Sequence, residues 1–292
     1  MFTLLIPVFN EEQSIEQTLS AALATLEKLG EEFEIVVIND GSSDRTAEIL
    51  ASLDIQQMKV ITHPRNRGYG ASMKTGIRHS RGEVIGTTDA DGTYPIEQLT
   101  PMLQILQEKE VDMVVGARTN KKQIPLIRRP AKAIVNALAN SLVGMKIPDT
   151  NSGLRVFRRD LAERYMHLYP QGFSFTMTIT LASLTNDHLV EFYPIDYFKR
   201  QGKSSMSSGL NGPKHFLNFL GLVVRIMMYF RPIKFFLLPS ILLLAAGIGT
   251  IVHTITTSNN ISDAGMLLLL TGLQVGLFGL LAEVVVRHSH KN

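Results

Sequence analysis

GEVIGTTDADGTYP, residues 82–95, decides how the chain is read. The run from Glu83 to Gly86 is short, apolar and β-branched, as a buried strand requires, and Gly92 marks a turn. Between them Asp89 and Asp91 flank a single alanine. Two carboxylates so placed repel each other, and a strand end that keeps them side by side is suited to a cation or a positively charged group. An Asp-x-Asp pair also arises in solvated turns. What surrounds it therefore carries the reading.

Outward from this stretch, Val- and Ile-rich runs (TLLIPVF, FEIVVIN, MKVIT, GEVIGTT, DMVVGA) alternate with segments of helical period at Ser14–Leu29, Arg45–Leu53, Tyr69–His79 and Ile96–Glu108. Strict alternation predicts crossover units and an α/β fold with a doubly wound, mainly parallel sheet. Such sheets collect ligands beyond the carboxyl ends of their strands. Those ends here carry Pro7 to Glu12, Asn39 to Asp44, His63 to Gly70, Asp89 to Thr93, and Arg118. Acid, amide, glycine and arginine are thus expected on one rim.

From Arg118 the pattern loosens, with an amphipathic helix near Ala131–Val143, a loop IPDTNSG, a strand LRVF, two short helices and a last strand at Leu189–Phe198. Three regions are expected: a catalytic domain over 1–212, an interfacial helix over 213–232, and a membrane hairpin with a short tail over 233–292. The spans 233–255 and 264–286 are nearly free of charge, and at about 1.5 Å per residue each reaches about 34 Å, enough for a hydrocarbon core of about 30 Å. KHFLNFLGLVVRIMMYFRP, broken by Lys214, Arg225 and Arg231, suits a helix lying among headgroups, or one packed on the catalytic domain. Lys199 to Lys234 carries seven basic residues and the loop TTSNNISD none, so the catalytic domain and the C-terminus are expected on the cytoplasmic side. Gly272-x-x-x-Gly276 with Gly279 offers a close-packing face, read as a route to homo-oligomers.

Composition narrows the classes. Hydrophobic residues make up 45% of the 292 and charged residues 19%, richer than a wholly soluble domain needs. A net charge of +3 is too mild for a nucleic-acid binder. The absence of cysteine excludes a disulfide framework, a thiolate nucleophile and a thiolate metal site. MFTLLIPVFNEE lacks a basic leader and turns acidic, so it reads as a first strand rather than a signal peptide. Gly68-x-Gly70 lacks the third glycine of a dinucleotide fingerprint and follows the third strand rather than the first. The histidines show no metal-ligand spacing, and no serine nucleophile elbow is present.

Six motifs in order, IPVFNEEQSI, VVINDGSSDRT, NRGYGASMKTGI, TTDADGTYP, VVGAR and DTNSGLRVFRR, resemble the family 2 inverting glycosyltransferases of GT-A fold. The likeness runs from Phe2 to about Ser205, and within the family it is nearest to the polyprenyl-phosphate glycosyltransferases such as dolichol-phosphate mannose synthase. It implies a nucleotide-sugar donor, a polyprenyl phosphate acceptor and Mg²⁺ or Mn²⁺. Carried over by position, Pro7, Phe9, Glu11, Asp40 and Asn66 line the nucleotide-sugar pocket. Asp89, Ala90 and Asp91 hold the diphosphate, with Asp89 and Asp91 on the metal. For Asp40 a turn role in Asn-Asp-Gly-Ser-Ser stands beside the contact role, and for Glu11 a favourable charge in a first helical turn does. Mannose synthases commonly have Gln two positions after the second Asp, where this chain has Thr93. That leaves more of the cation's shell to water and withdraws support from mannose.

The acceptor phosphate needs cations, and the resemblance points to Arg118, Arg129 or its neighbour Arg128, Arg200 and Lys203; arginine's fork binds phosphate through two bonds. Lys203 is also suited simply to attracting anionic lipid. The transfer that the resemblance implies is a direct displacement at the anomeric carbon. A phosphate monoester has a second pKa of about 6, so a base is optional at neutral pH. Asp149, in the Asp-x-x-Ser-Gly loop, is expected as catalytic base, as acceptor-orienting group, or as the organiser of a turn. Arg155 is read as a donor-phosphate contact or a surface residue. Two other readings stand: transfer to a lipid or sugar hydroxyl, which needs a true base, and a non-catalytic nucleotide-sugar-binding membrane module. The processive polysaccharide synthases are excluded because their Gln-x-x-Arg-Trp motif needs a tryptophan and the chain has none.

Overall fold

The computed structural model describes residues 1–119, 137, 139–172, 174–198, 200, 221, 224, 227–229, 231–258 and 260–289. The chain divides into two compact units.

The first unit is built on a seven-stranded sheet. In chain order its elements are β1 (Phe2–Val8), α1 (Ile15–Glu27), β2 (Phe33–Asn39), α2 (Thr46–Ser52), β3 (Met58–Thr62), α3 (Tyr69–His79), β4 (Val84–Thr87), a 3₁₀ turn (Ile96–Gln98) leading into α4 (Leu99–Glu108), and β5 (Met113–Arg118). There follow β6 (Arg155–Arg158), α5 (Arg159–Arg164), α6 (Phe175–Thr185) and β7 (Val190–Ile195). The strand order is β3-β2-β1-β4-β6-β5-β7. All pairings are parallel except those of β6, which runs antiparallel to both β4 and β5. The chain winds outward from β1 through β2 to β3, then returns to lay β4 on β1's other side. That reversal opens a crevice between the exits of β1 and β4.

β1 reads as a continuous apolar run because both its faces are covered. Leu4, Ile6, Ile35 and Val37 pack with Leu19, Leu26, Met102 and Leu106 of α1 and α4 in one core. Removing a large side chain from such a site costs about 2–5 kcal/mol. The edges read differently. β3 exposes Lys59 and Val60, and β7 carries Pro194, a residue without an amide donor that sheets admit at their edges.

α3 explains Gly68-x-Gly70. The amides of Gly70 and Ala71 donate to the carbonyls of Gly172 and Gln171 at 2.9 and 2.7 Å, and a Cβ at Gly70 would collide with the Pro170 carbonyl. Protein carbonyls therefore take the helix-terminal donors that a dinucleotide phosphate would use.

In the second unit, α7 (Pro232–Ser258) and α8 (Asp263–Ser289) form a hairpin, each helix long and apolar enough to cross a membrane. Leu238, Leu242, Leu267, Leu281 and Val285 are exposed on their outer faces. The spans expected at 233–255 and 264–286 lie inside these helices. The glycine face corrects one expectation. A Cβ on Gly272 would stand 2.9 Å from Leu244 Cγ, on Gly276 2.9 Å from Ser240 Oγ, and on Gly279 2.8 Å from Phe236 Cβ. Ser240 also donates to the Gly272 carbonyl at 2.8 Å. The small residues serve to bring the two helices of one chain together, so this face is not free to pair two copies. The helix expected near 131–143 is described only from its last turns, and the interfacial helix at 213–232 lies almost wholly outside the described residues.

Candidate active site

The Asp-x-Asp stretch is fixed from behind by α1. Ser14 and Thr18, one turn apart, both donate to the Ala90 carbonyl, at 2.7 and 3.1 Å. With that peptide clamped, Asp89 and Asp91 emerge side by side at the exit of β4. Asp91 is buried, and its Oδ1 accepts the amide and hydroxyl of Thr93 at 3.2 and 2.6 Å. Thr93, where a glutamine was the family expectation, thus orients the second aspartate through its amide and its hydroxyl. Gly153 lies against the first. A Cβ there would stand 2.7 Å from Asp89 Oδ1, so only glycine leaves room for that carboxylate.

Glu11 faces them from the exit of β1. Its Oε2 accepts the Ser14 hydroxyl at 3.3 Å, and its Oε1 pairs with Arg200 Nη2. Arg200 Nη1 stands 3.2 Å from Asp91 Oδ2, so one guanidinium bridges two acids. Three carboxylates share little water here. Burial, opposed by Arg200 and reinforced by Asp91, pushes the Glu11 carboxyl up to about 7. Burial and the neighbouring Asp91, opposed by Arg118 and Arg200, push Asp89 up to about 7 as well. The rim is over-acid for the cations it holds.

Asp40 sits lower. It is buried, its Oδ1 accepts the Arg67 amide at 2.9 Å and lies 2.6 Å from His63 Nδ1, and its Oδ2 accepts the Gly68 amide at 2.7 Å. His63 Nε2 is 2.9 Å from Thr75 Oγ1. Asp40 therefore folds the loop that carries Asn66, which is exposed. Pro7, in register with Ile38, and Phe9 are half-buried at the mouth of the same crevice.

On the other side of Asp89, Arg118 grips Asp149 through Nε and Nη2 at 2.7 and 3.0 Å. Its guanidinium also lies over the Tyr197 ring, 5.2 Å from the centroid. Burial alone would raise Asp149, but this bidentate pair and the Asn151 amide outweigh it and hold the carboxyl below its ordinary value. A carboxylate so engaged is a weak proton acceptor. Arg155 is neither a phosphate contact nor a surface residue: it is fully buried, and it donates to the Ser152 and Thr150 carbonyls at 2.7 and 3.0 Å and to Thr180 Oγ1 at 2.7 Å. Burial pushes it down to about 10. Its role is to fix the 149–153 loop from beneath.

Tyr94 joins the two sides. Its hydroxyl accepts the Gly153 amide at 2.8 Å, and its ring meets that of Tyr197 edge-on at 5.2 Å. Sequence reasoning passed over Tyr94 and the Ser14–Thr18 pair and misplaced Arg155. The Ser14–Thr18 pair left a signal, two hydroxyls at i and i+4 on an otherwise apolar helix face. Of the expected acceptor cations, Arg118 and Arg200 reach the rim, while Arg128, Arg129 and Lys203 lie outside the described residues.

Among the described residues no three acid or histidine side chains close into a ready-made cation cage. The donor set, two adjacent carboxylates beside a third, nevertheless suits a hard divalent ion, which commonly takes one or two carboxylates and leaves its other positions to water and phosphate.

Sheet order, crevice and acidic rim define a glycosyltransferase of GT-A fold. The chain belongs to glycosyl transferase family 2, whose model matches residues 3–166, and the GtrB C-terminal hairpin matches residues 231–287. It is 28% identical to the low-salt glycan biosynthesis hexosyltransferase Agl6 of Haloferax volcanii, over 97% of this chain and 68% of that protein. It is 34% identical to the undecaprenyl-phosphate 4-deoxy-4-formamido-L-arabinose transferase of Photorhabdus laumondii, over 58% of this chain and 53% of that one, so it spans about half the length of that relative. Among solved structures, glucosyl-3-phosphoglycerate synthase of Mycobacterium tuberculosis, crystallised with Mn²⁺, UDP and phosphoglyceric acid, matches with a TM-score of 0.59. That match has 15% identity and covers 76% of this chain and 78% of the other. S. aureus TarS with UDP-GlcNAc matches at 0.57 and 21%, over 78% and 66%. At these identities the structures speak for the fold alone.

Proposed function

We propose that this protein transfers a sugar, with inversion, from a nucleotide diphosphate sugar to a membrane polyprenyl phosphate. The observation that carries the reading is the meeting on one rim of an over-acid group, Glu11, Asp89 and Asp91, with two arginines, Arg118 and Arg200. Acid for a cation and diphosphate stands beside arginine for a second phosphate. The apolar hairpin and the undecaprenyl-phosphate acceptor named for one relative support a lipid acceptor. The distribution of Lys and Arg supports a cytoplasmic active site.

In the reaction the acceptor phosphate oxygen forms a bond to the anomeric carbon while the bond from that carbon to the diphosphate oxygen breaks, and the nucleoside diphosphate departs with the electron pair. Glu11, Asp89 and Asp91, with Pro7, Phe9 and Asn66 around the crevice, hold the donor, and Asp40 sets the loop that carries Asn66. Mg²⁺ or Mn²⁺ held by Asp89 and Asp91, directly or through water, would neutralise the leaving group's charge. Arg118 and Arg200 hold the acceptor phosphate, joined by Arg129 and Lys203. No proton need be removed from a dianionic phosphate, so Asp149 is assigned the orienting of Arg118 rather than general base catalysis.

The test is transfer of radiolabelled sugar from a panel of UDP- and GDP-sugars to a short polyprenyl phosphate in detergent with Mg²⁺ or Mn²⁺. Labelled lipid from one donor, lost in Asp91→Asn, is the expected result. No labelled lipid from any donor would leave a hydroxyl acceptor or a binding module.

A further inference from the structure

Asp91 has one oxygen to offer a ligand. Oδ1 is taken by the amide and hydroxyl of Thr93, and Oδ2 faces the site, where Arg200 Nη1 stands 3.2 Å away. Nη2 of the same guanidinium holds Glu11 Oε1, while Nε is buried with no hydrogen-bond partner among the described residues. The side chain is thus placed by two acids, without a full set of acceptors of its own. A divalent cation and Arg200 cannot both use Asp91 Oδ2, because two positive groups at contact distance on one oxygen repel. Yet Arg200 is also a cation that the acceptor phosphate requires.

We propose that Arg200 is a shared counter-ion: in the free enzyme it occupies the oxygen a divalent cation needs, and it passes to the acceptor phosphate when that cation binds. The inference rests on the reading of Asp91 as a cation ligand. Its consequence is a coupling between two sites carried by one side chain. An anion that draws Arg200 away makes cation binding easier, and by linkage the cation strengthens acceptor binding by the same factor. A residue that served only the acceptor would leave cation affinity untouched, and a purely structural one would weaken it when removed. Only a shared counter-ion predicts both that its loss tightens the cation and that the acceptor anion's help to the cation disappears with it.

The measurement is Mn²⁺ binding to the full chain in detergent, read by the electron paramagnetic resonance of free Mn²⁺ with no nucleotide sugar present. Arg200→Ala and Arg200→Gln are expected to bind Mn²⁺ about tenfold more tightly than wild type, the second variant keeping the side chain's bulk. Farnesyl phosphate is expected to tighten Mn²⁺ binding in wild type and not in either variant. Equal or weaker binding in both variants overturns the proposal. Asp91→Asn separates the two levels. If it retains wild-type Mn²⁺ affinity, the cation reading itself fails; if it loses Mn²⁺ while the Arg200 variants match wild type, only the coupling fails.

Discussion

Asp89 and Asp149 are acids on the same sheet rim, and their surroundings push them in opposite directions. Asp149 has one arginine to itself, gripped through both oxygens, and stays ionised well into the acid range. Asp89 shares its cations with Asp91 and Glu11 and holds its proton up to about 7. A matched pair makes a rigid prop, whereas a surplus of acid makes a site that gains from an incoming positive charge. The comparison assigns donor chemistry to the Asp89 side and positioning to the Asp149 side.

The largest expected effect breaks the donor side. Asp91→Asn should lower transfer by about a thousandfold or more with little loss of thermal stability, as a radiometric assay beside a melting curve would show. Next comes the prop. Asp149→Asn should slow transfer about a hundredfold and lower the melting midpoint by several degrees, because Arg118 loses its partner. The limb of the pH–rate profile should not move, and a lost ionisation there would instead mark Asp149 as the base.

The pH dependence sharpens the contrast. Glu11 and Asp89 have folded values of about 7 against ordinary values of 4.5 and 3.8. For acids raised in this way the stabilising contribution is full below the unfolded value and is lost as pH rises through the folded one. Metal-free protein should therefore lose stability between about pH 4.5 and 7.5, and Mn²⁺ should restore more of it at pH 8 than at pH 6. Asp149, lowered by Arg118, contributes above 3.8 and is lost only as pH falls below it. Calorimetric scans across pH, with and without Mn²⁺, check both signs.

Smaller still is Tyr94→Phe, which strips the acceptor from the Gly153 amide and should destabilise by about 1–3 kcal/mol, visible as a shift of a few degrees in the melting curve. The smallest effect is expected from Arg45→Ala at the exposed pair with Glu12, under about 0.5 kcal/mol.

The strands and helices of the first unit were legible because each declares itself locally: Val and Ile runs for strands, helical spacing for α1, α3 and α4. The antiparallel setting of β6 was not, since LRVF carries no mark of direction. Asp89 and Asp91 could be found because they adjoin in sequence. The pairing of Asp149 with Arg118 depends on a chain reversal across 31 residues, and that of Tyr94 with Gly153 on one across 59. Arg155 shows why composition misleads at single sites. An arginine reads as surface until a fold supplies two carbonyls and a threonine to satisfy it in the core.

The most direct test offers the purified enzyme, with its labelled donor and Mn²⁺, a polyprenyl phosphate and the polyprenol of the same length side by side, with mass spectrometry of each lipid product. The account predicts a sugar phosphodiester from the phosphate and nothing from the alcohol; glycosylated polyprenol formed at a comparable rate would contradict it.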